Sequence, residues 1–231
     1  MKSIKILLTI FTLLFLSNCQ KSSEEPSLRD LGLDFFPLQE NLFWEYDITE
    51  ITYTVLNPPA TNTYQIREEI KELFIGLDNQ LAYRYEKYKR NNDNESWQID
   101  STGFVQKTNF NVKKSVNNLI FTKLAFPLEE GKQWNGNAYN HLGATQFTLQ
   151  NVRQKYTTNT QLYPQTATVF QINDSSLVAL NRRFEVYAED IGLIEANYKS
   201  LNYCTTANCV GQGVIHFGNE YKQRLKRYGK M

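Results

Sequence analysis

Apolar and polar residues alternate at a period of two through much of this chain, a pattern that predicts strands. In WEYDITEITYTV, Trp44, Tyr46 and Ile48 share one side. LAYRYEKY sets Tyr83 and Tyr85 against Arg84 and Glu86, and RFEVYAED sets Phe184, Val186 and Ala188 against Arg183, Glu185 and Tyr187. ATVFQIN and GVIHFG read as further strands. Turn residues separate such runs: LNPPATN at 56–62, GLDNQ at 76–80, NNDNES at 91–96, YPQ near 161–165 and INDSS at 172–176. This spacing predicts an all-β or mainly β protein built on a curved antiparallel sheet, half-barrel or clam-like. Fourteen Tyr, fourteen Phe and three Trp suit strands that are half buried.

Two segments need a decision. In YQIREEIKELFIG, Ile66, Ile70, Leu73 and Phe74 fit a helix, but Ile66, Ile70 and Phe74 also share one strand face. The Gly76–Asn79 turn and the tyrosine-rich strand beyond it favour a hairpin. SLRDLGL is compatible with a helix, with Ser27 as cap and Gly32 keeping it short.

A phrase recurs ninety residues apart. FPLQENLFW, Phe36 to Trp44, and FPLEEGKQW, Phe126 to Trp134, both follow Phe-Pro-Leu-x-Glu-x-x-x-Trp. Proline fixes φ and donates no hydrogen bond, so Phe36-Pro37-Leu38 and Phe126-Pro127-Leu128 suit strand entry. Polar residues then turn the chain, and Trp44 or Trp134 closes over the core. The phrase reads as construction rather than chemistry. Two architectures fit it: tandem small domains, or one sheet whose halves start alike. SVNNLIFTKLAF shows no linker-like break, which favours one domain over 31–231.

The N-terminus addresses the chain. Lys2 and Lys5 precede an apolar run from Ile6 to Leu16, the layout of a secretory signal peptide over residues 1–18. LSNC, Leu16 to Cys19, resembles the lipobox of bacterial lipoproteins. That resemblance implies acylation of Cys19, cleavage before it, and anchoring to a membrane through lipid. Each buried methylene contributes about 0.8 kcal/mol, so two or more acyl chains hold stably. Residues 19–30 form a lipidated flexible tether containing Pro26. Gln20 is not the aspartate of inner-membrane retention, so the resemblance implies the outer membrane, with its periplasmic and surface faces both open. With Cys19 assigned to lipid, Cys204 and Cys209 remain in CTTANC, close enough for a small disulfide loop in an oxidising compartment; two free thiols are the alternative.

Beyond the anchor, FFPLQENLFWEYD and AFPLEEGKQWNGN are similar to phrases of uncharacterised lipoproteins from Bacteroidota-type bacteria. EVYAEDIGLIEANYKSL resembles the strand pair near their ends, and YKQRLKRYGK their closing strand. The resemblance implies an architecture related to the curved sheets of the LolA/LolB lipoprotein carriers. Asn41 stands where the family's turn glycine is expected. DST at 100–102 resembles an O-glycosylation acceptor of these bacteria, with Ser101 as the site.

Little in the chain points to catalysis. It carries no GxSxG, HExxH, P-loop or dinucleotide turn. His141 and His216 have no evident local partner, and adjacent acids such as Glu68–Glu69 point to opposite faces of a strand. Without residues 1–18 the chain has 23 basic and 24 acidic residues, a net of −1, which offers no broad footprint for nucleic acid. No metal or cofactor is expected. The basic face of Lys222, Arg224 and Lys226 reads as solvated. Three functions follow as expectations: a binding or carrier module for an apolar ligand, an accessory lipoprotein docking another envelope protein, and a hydrolase with scattered carboxylates.

Overall fold

The computed structural model describes residues 27–76 and 78–231. The signal segment, Cys19 and most of the tether lie outside the described residues. The described residues open with a single-turn helix, α1 (Leu28–Leu31), and a 3-10 turn, Leu33–Phe35. Six strands follow: β1 (Leu42–Tyr53), β2 (Ala60–Ile75), β3 (Leu81–Arg90), β4 (Gln98–Lys107), β5 (Asn111–Val116) and β6 (Leu119–Ala125). Six more complete the fold: β7 (Gln133–Asn135), β8 (Gln146–Thr158), β9 (Gln161–Ser175), β10 (Ala179–Ala188), β11 (Gly192–Tyr203) and β12 (Ile215–Lys230).

All twelve belong to one antiparallel sheet in the order β6-β5-β4-β3-β2-β1-β12-β11-β10-β9-β8-β7. Two six-strand meanders therefore share one seam, β1 against β12, running from Leu42↔Lys230 to Tyr53↔Gly218. The outer strands, β6 and β7, are consecutive in the chain. The Thr122 amide donates to the Gly136 carbonyl at 2.9 Å, Trp134 Nε1 to the Thr122 carbonyl at 2.9 Å, and Asn140 Nδ2 to the Ile120 carbonyl at 2.8 Å. These bonds cover the edges, and the sheet becomes a nearly closed barrel.

The repeated phrase starts each meander, and its turn is built the same way in both copies. Asn41 (φ 69°) and Gly131 (φ 77°) both take the left-handed conformation. Asparagine tolerates that region better than most side chains, so the turn forms without the glycine. The Asn41 amide donates to the Ile70 carbonyl at 2.9 Å, and the Gly131 amide to the Leu149 carbonyl at 2.8 Å. The shared glutamate serves a bulge in each copy. Glu40 accepts from the Leu73 amide at 2.9 Å, and Glu130 from those of Asn151 and Val152 at 3.2 and 2.9 Å.

Bulges also explain where sequence and structure part. The ambiguous segment is strand, within β2, with Ile66 and Ile70 buried. Phe74 leaves their face because a register shift between Ile70 and Leu73 reverses the alternation, and it is 38% exposed. The turn expected near 161–165 lies at Asn159–Thr160, and the one expected at 172–176 falls at 176–178. Pro164 is tolerated inside β9 because pairing to β8 is irregular there and β10 pairs only as far as Thr166.

The N-terminal elements plug one end of the barrel. Ser27 Oγ accepts from the Asp30 amide at 3.1 Å and Asp30 Oδ2 from the Ser27 amide at 2.9 Å, a reciprocal cap. Gly32 (φ 78°) ends the helix and turns Leu33 and fully buried Phe35 into the core. Lys107 Nζ donates to the carbonyls of Leu33 and Phe36 at 3.0 and 2.7 Å, fastening the plug to β4.

The outside of β12, β1, β2 and β3 carries a ladder of alternating charge. Arg227 and Arg67 flank Glu45 at 2.5 and 3.7 Å. Arg67 meets Glu69 at 2.7 Å, Lys71 bridges Glu69 and Glu86, and Arg84 joins Glu86 to Glu72. Such a surface is costly against acyl chains, which separates these strands from those of a lipid-facing barrel. No described helix is long and apolar enough to cross a membrane.

Candidate functional site

The barrel holds a cavity of ≈ 300 Å³ that is partly open to solvent. Its deep end is made by the first copy of the phrase: Phe36 and Pro37 from the plug, and Trp44 from β1. Trp44 Nε1 donates to the Ile191 carbonyl at 2.6 Å, which pins the indole to the β10–β11 turn. Gly192, which follows that turn as the first residue of β11, has φ 94°, a conformation glycine supplies without strain. Above the floor, Tyr46, Ile66, Ile70, Val105 and Tyr187 form an apolar and aromatic wall. Tyr46 is 1% exposed, and its hydroxyl donates to the Leu193 carbonyl at 3.1 Å.

Two ion pairs cross the lumen between strands that are not neighbours. Lys123 of β6 donates to Glu185 of β10, and Lys114 of β5 to Glu68 of β2 at 2.6 Å. Glu185 also accepts from the hydroxyls of Tyr187 and Tyr198, each at 2.6 Å. Burial pushes the Glu185 carboxyl up, but the Lys123 charge and the donated hydrogen bonds outweigh it and hold the group below its ordinary value. The same burial, with the Glu185 charge added, raises the Tyr187 and Tyr198 hydroxyls well above theirs, so they stay donors. Lys114 also lies 4.7 Å from the Tyr85 ring centre. Near the other end, Tyr198 stacks on Tyr221 with centroids 5.4 Å apart, and Arg183, Lys87, Ser101 and Asn117 are among the residues that line the cavity.

The residues singled out by sequence disperse. Phe36, Pro37 and Trp44 line the cavity, and half-buried Leu38 packs on the core. In the second copy, Phe126 and Leu128 are buried in the core, Pro127 accepts from Lys132, and Trp134 meets Phe147 edge-on at 6.1 Å. Ser101 sits half-buried on the lumen wall, its Oγ donating to Asp100 Oδ2 at 3.3 Å. Cys204 and Cys209 are joined as a disulfide with Cα atoms 5.7 Å apart, bracing the β11–β12 loop. Cys19 lies outside the described residues.

His141 is exposed, His216 is half-buried in β12, and neither lines the cavity. Glu68 points into the lumen while Glu69 pairs outside with Arg67. The basic face is partly neutralised: Arg224 lies 3.9 Å from Glu195, and Lys226 donates to Asp93 at 2.6 and 2.7 Å. Among the described residues no three His, Cys, Asp or Glu side chains gather as a metal site. Sequence reading missed Glu68, Lys114, Lys123 and Glu185. One signal was legible: Glu68 keeps the phase of Ile66 and Ile70, a charge on a buried face.

No family model matches the chain, and no curated protein matches it in sequence. Among solved structures it is similar to that of a protein from Parabacteroides distasonis classed as a lipoprotein. The two are 10% identical with a TM-score of 0.41, over 84% of this chain and 98% of that one.

Proposed function

We propose that this chain is a lipid-anchored protein of the cell envelope that holds a small molecule in the lumen of its sheet and does no chemistry on it. The lipobox-like LSNC and the signal layout before it support the anchor. The observation that carries the binding role is the ≈ 300 Å³ cavity within the sheet, partly open to solvent, of a size that suits a small ligand and lined by large aromatic and aliphatic side chains together with a set of charged and amide groups. A packed barrel would have filled this space with side chains.

The site's electrostatics argue against hydrolysis. A glycosidase-type pair needs one carboxyl raised to act as an acid. Here each lumen carboxylate has its own lysine, and Glu185 is held below its ordinary value. Docking another envelope protein is the second reading. It is favoured by exposed Val55, Leu56, Leu177, Val178 and Val210 on the β1–β2, β9–β10 and β11–β12 loops, which neighbour one another along the sheet.

Native mass spectrometry of Ser27–Met231, secreted by its own host without detergent, separates the two. This segment holds every described strand and the whole described core. A reproducible extra mass that organic solvent extracts is the expected result. A bare polypeptide under the same conditions would remove the carrier reading and leave docking.

A further inference from the structure

The charge lining the lumen is lopsided, and we infer from it that the bound molecule is an anionic amphiphile, with a carboxylate or phosphate head and an apolar body. This rests on the lumen being a ligand site. Four cations line it, Lys87, Lys114, Lys123 and Arg183, against two carboxylates, Glu68 and Glu185. Glu185 already accepts from Lys123, Tyr187 and Tyr198, so it offers little to a cationic ligand. Glu68 keeps one oxygen beyond its bond to Lys114.

Donors remain in excess. An ammonium carries three N–H groups and a guanidinium five, yet Lys114 and Lys123 each give one bond to a glutamate. Lys87 lies 3.0 Å from Asp100. Arg183 is exposed and makes no ion pair among the described residues. The hydroxyl protons of Tyr46, Tyr85, Tyr187, Tyr198 and Tyr221 are already committed to protein acceptors. A wholly apolar molecule would cover these N–H groups and satisfy none of them, which costs free energy. A carboxylate or phosphate would take them up as charge-assisted hydrogen bonds.

The fold also orients such a ligand. Arg183 lies on β10 beside Tyr198, toward the β9–β10 turn, while Trp44 and Pro37 lie at the plugged end. The head belongs with Arg183, and the tail runs past Tyr46 and Ile66 toward Trp44.

The test uses Ser27–Met231 and four probes of one length: ω-bromooctanoate, ω-bromooctyl phosphate, ω-bromooctanol and ω-bromooctyltrimethylammonium. Bromine quenches indole fluorescence on contact, and of the three tryptophans Trp44 alone lines the cavity. The carboxylate, the phosphate or both are expected to quench saturably, and Trp44→Phe to abolish the quench. Arg183→Gln is expected to weaken the anions by about tenfold and leave the alcohol unchanged. The stronger anion distinguishes a fatty-acid source from a lipid phosphate. An alcohol or ammonium probe that binds as tightly as both anions overturns the anionic assignment while the lumen-binding reading stands. No saturable quench from any probe overturns both.

Discussion

Lys123→Met leaves the Glu185 carboxylate buried without its cation, and the expected cost is about 3–5 kcal/mol in urea unfolding. Adding Glu185→Gln to that variant should recover much of the loss, because the uncompensated charge then disappears. An equal loss in single and double variants would mean that Lys123 matters for packing alone. The depressed carboxyl also fixes a sign with pH. Its stabilisation is fully present above the ordinary value of 4.5 and is lost as pH falls through the lower folded value. Glu185→Gln should therefore flatten stability against pH below about 4.5.

Among the elements, the two strand entries give a matched pair of substitutions. Gly131→Asn puts into the second copy the residue that the first already carries at φ 69°, and little change in melting temperature is expected. Gly131→Val forces a β-branched residue into the left-handed region, at a cost of about 1–2 kcal/mol or more. Equal effects would show that the turn is not held left-handed in solution. These elements were largely legible beforehand, since alternation marks a strand wherever its register is uninterrupted. It failed where a bulge intervened, as when Phe74 left the face of Ile66 and Ile70. Turn chemistry misled where Pro164 sat inside a strand, and it hid the β5–β6 hairpin, whose Asn117 and Asn118 both take positive φ, 50° and 63°.

For the whole molecule, the repeated phrase is construction that also shapes a site. Each copy opens one meander, but only the first contributes to the cavity floor, because the plug at Leu33–Phe35 directs Phe36 and Pro37 inward. The lumen pairs were beyond local reading. Glu68 and Lys114 are 46 residues apart and Lys123 and Glu185 are 62 apart, and only the curvature of the sheet, with its near closure for the second pair, brings them together. The most direct measurement is a crystal structure of Ser27–Met231 taken from its own host and never exposed to detergent. Continuous non-protein density between Trp44 and Arg183 is the predicted result. A lumen filled by ordered water, or collapsed onto its own side chains, would contradict the binding role.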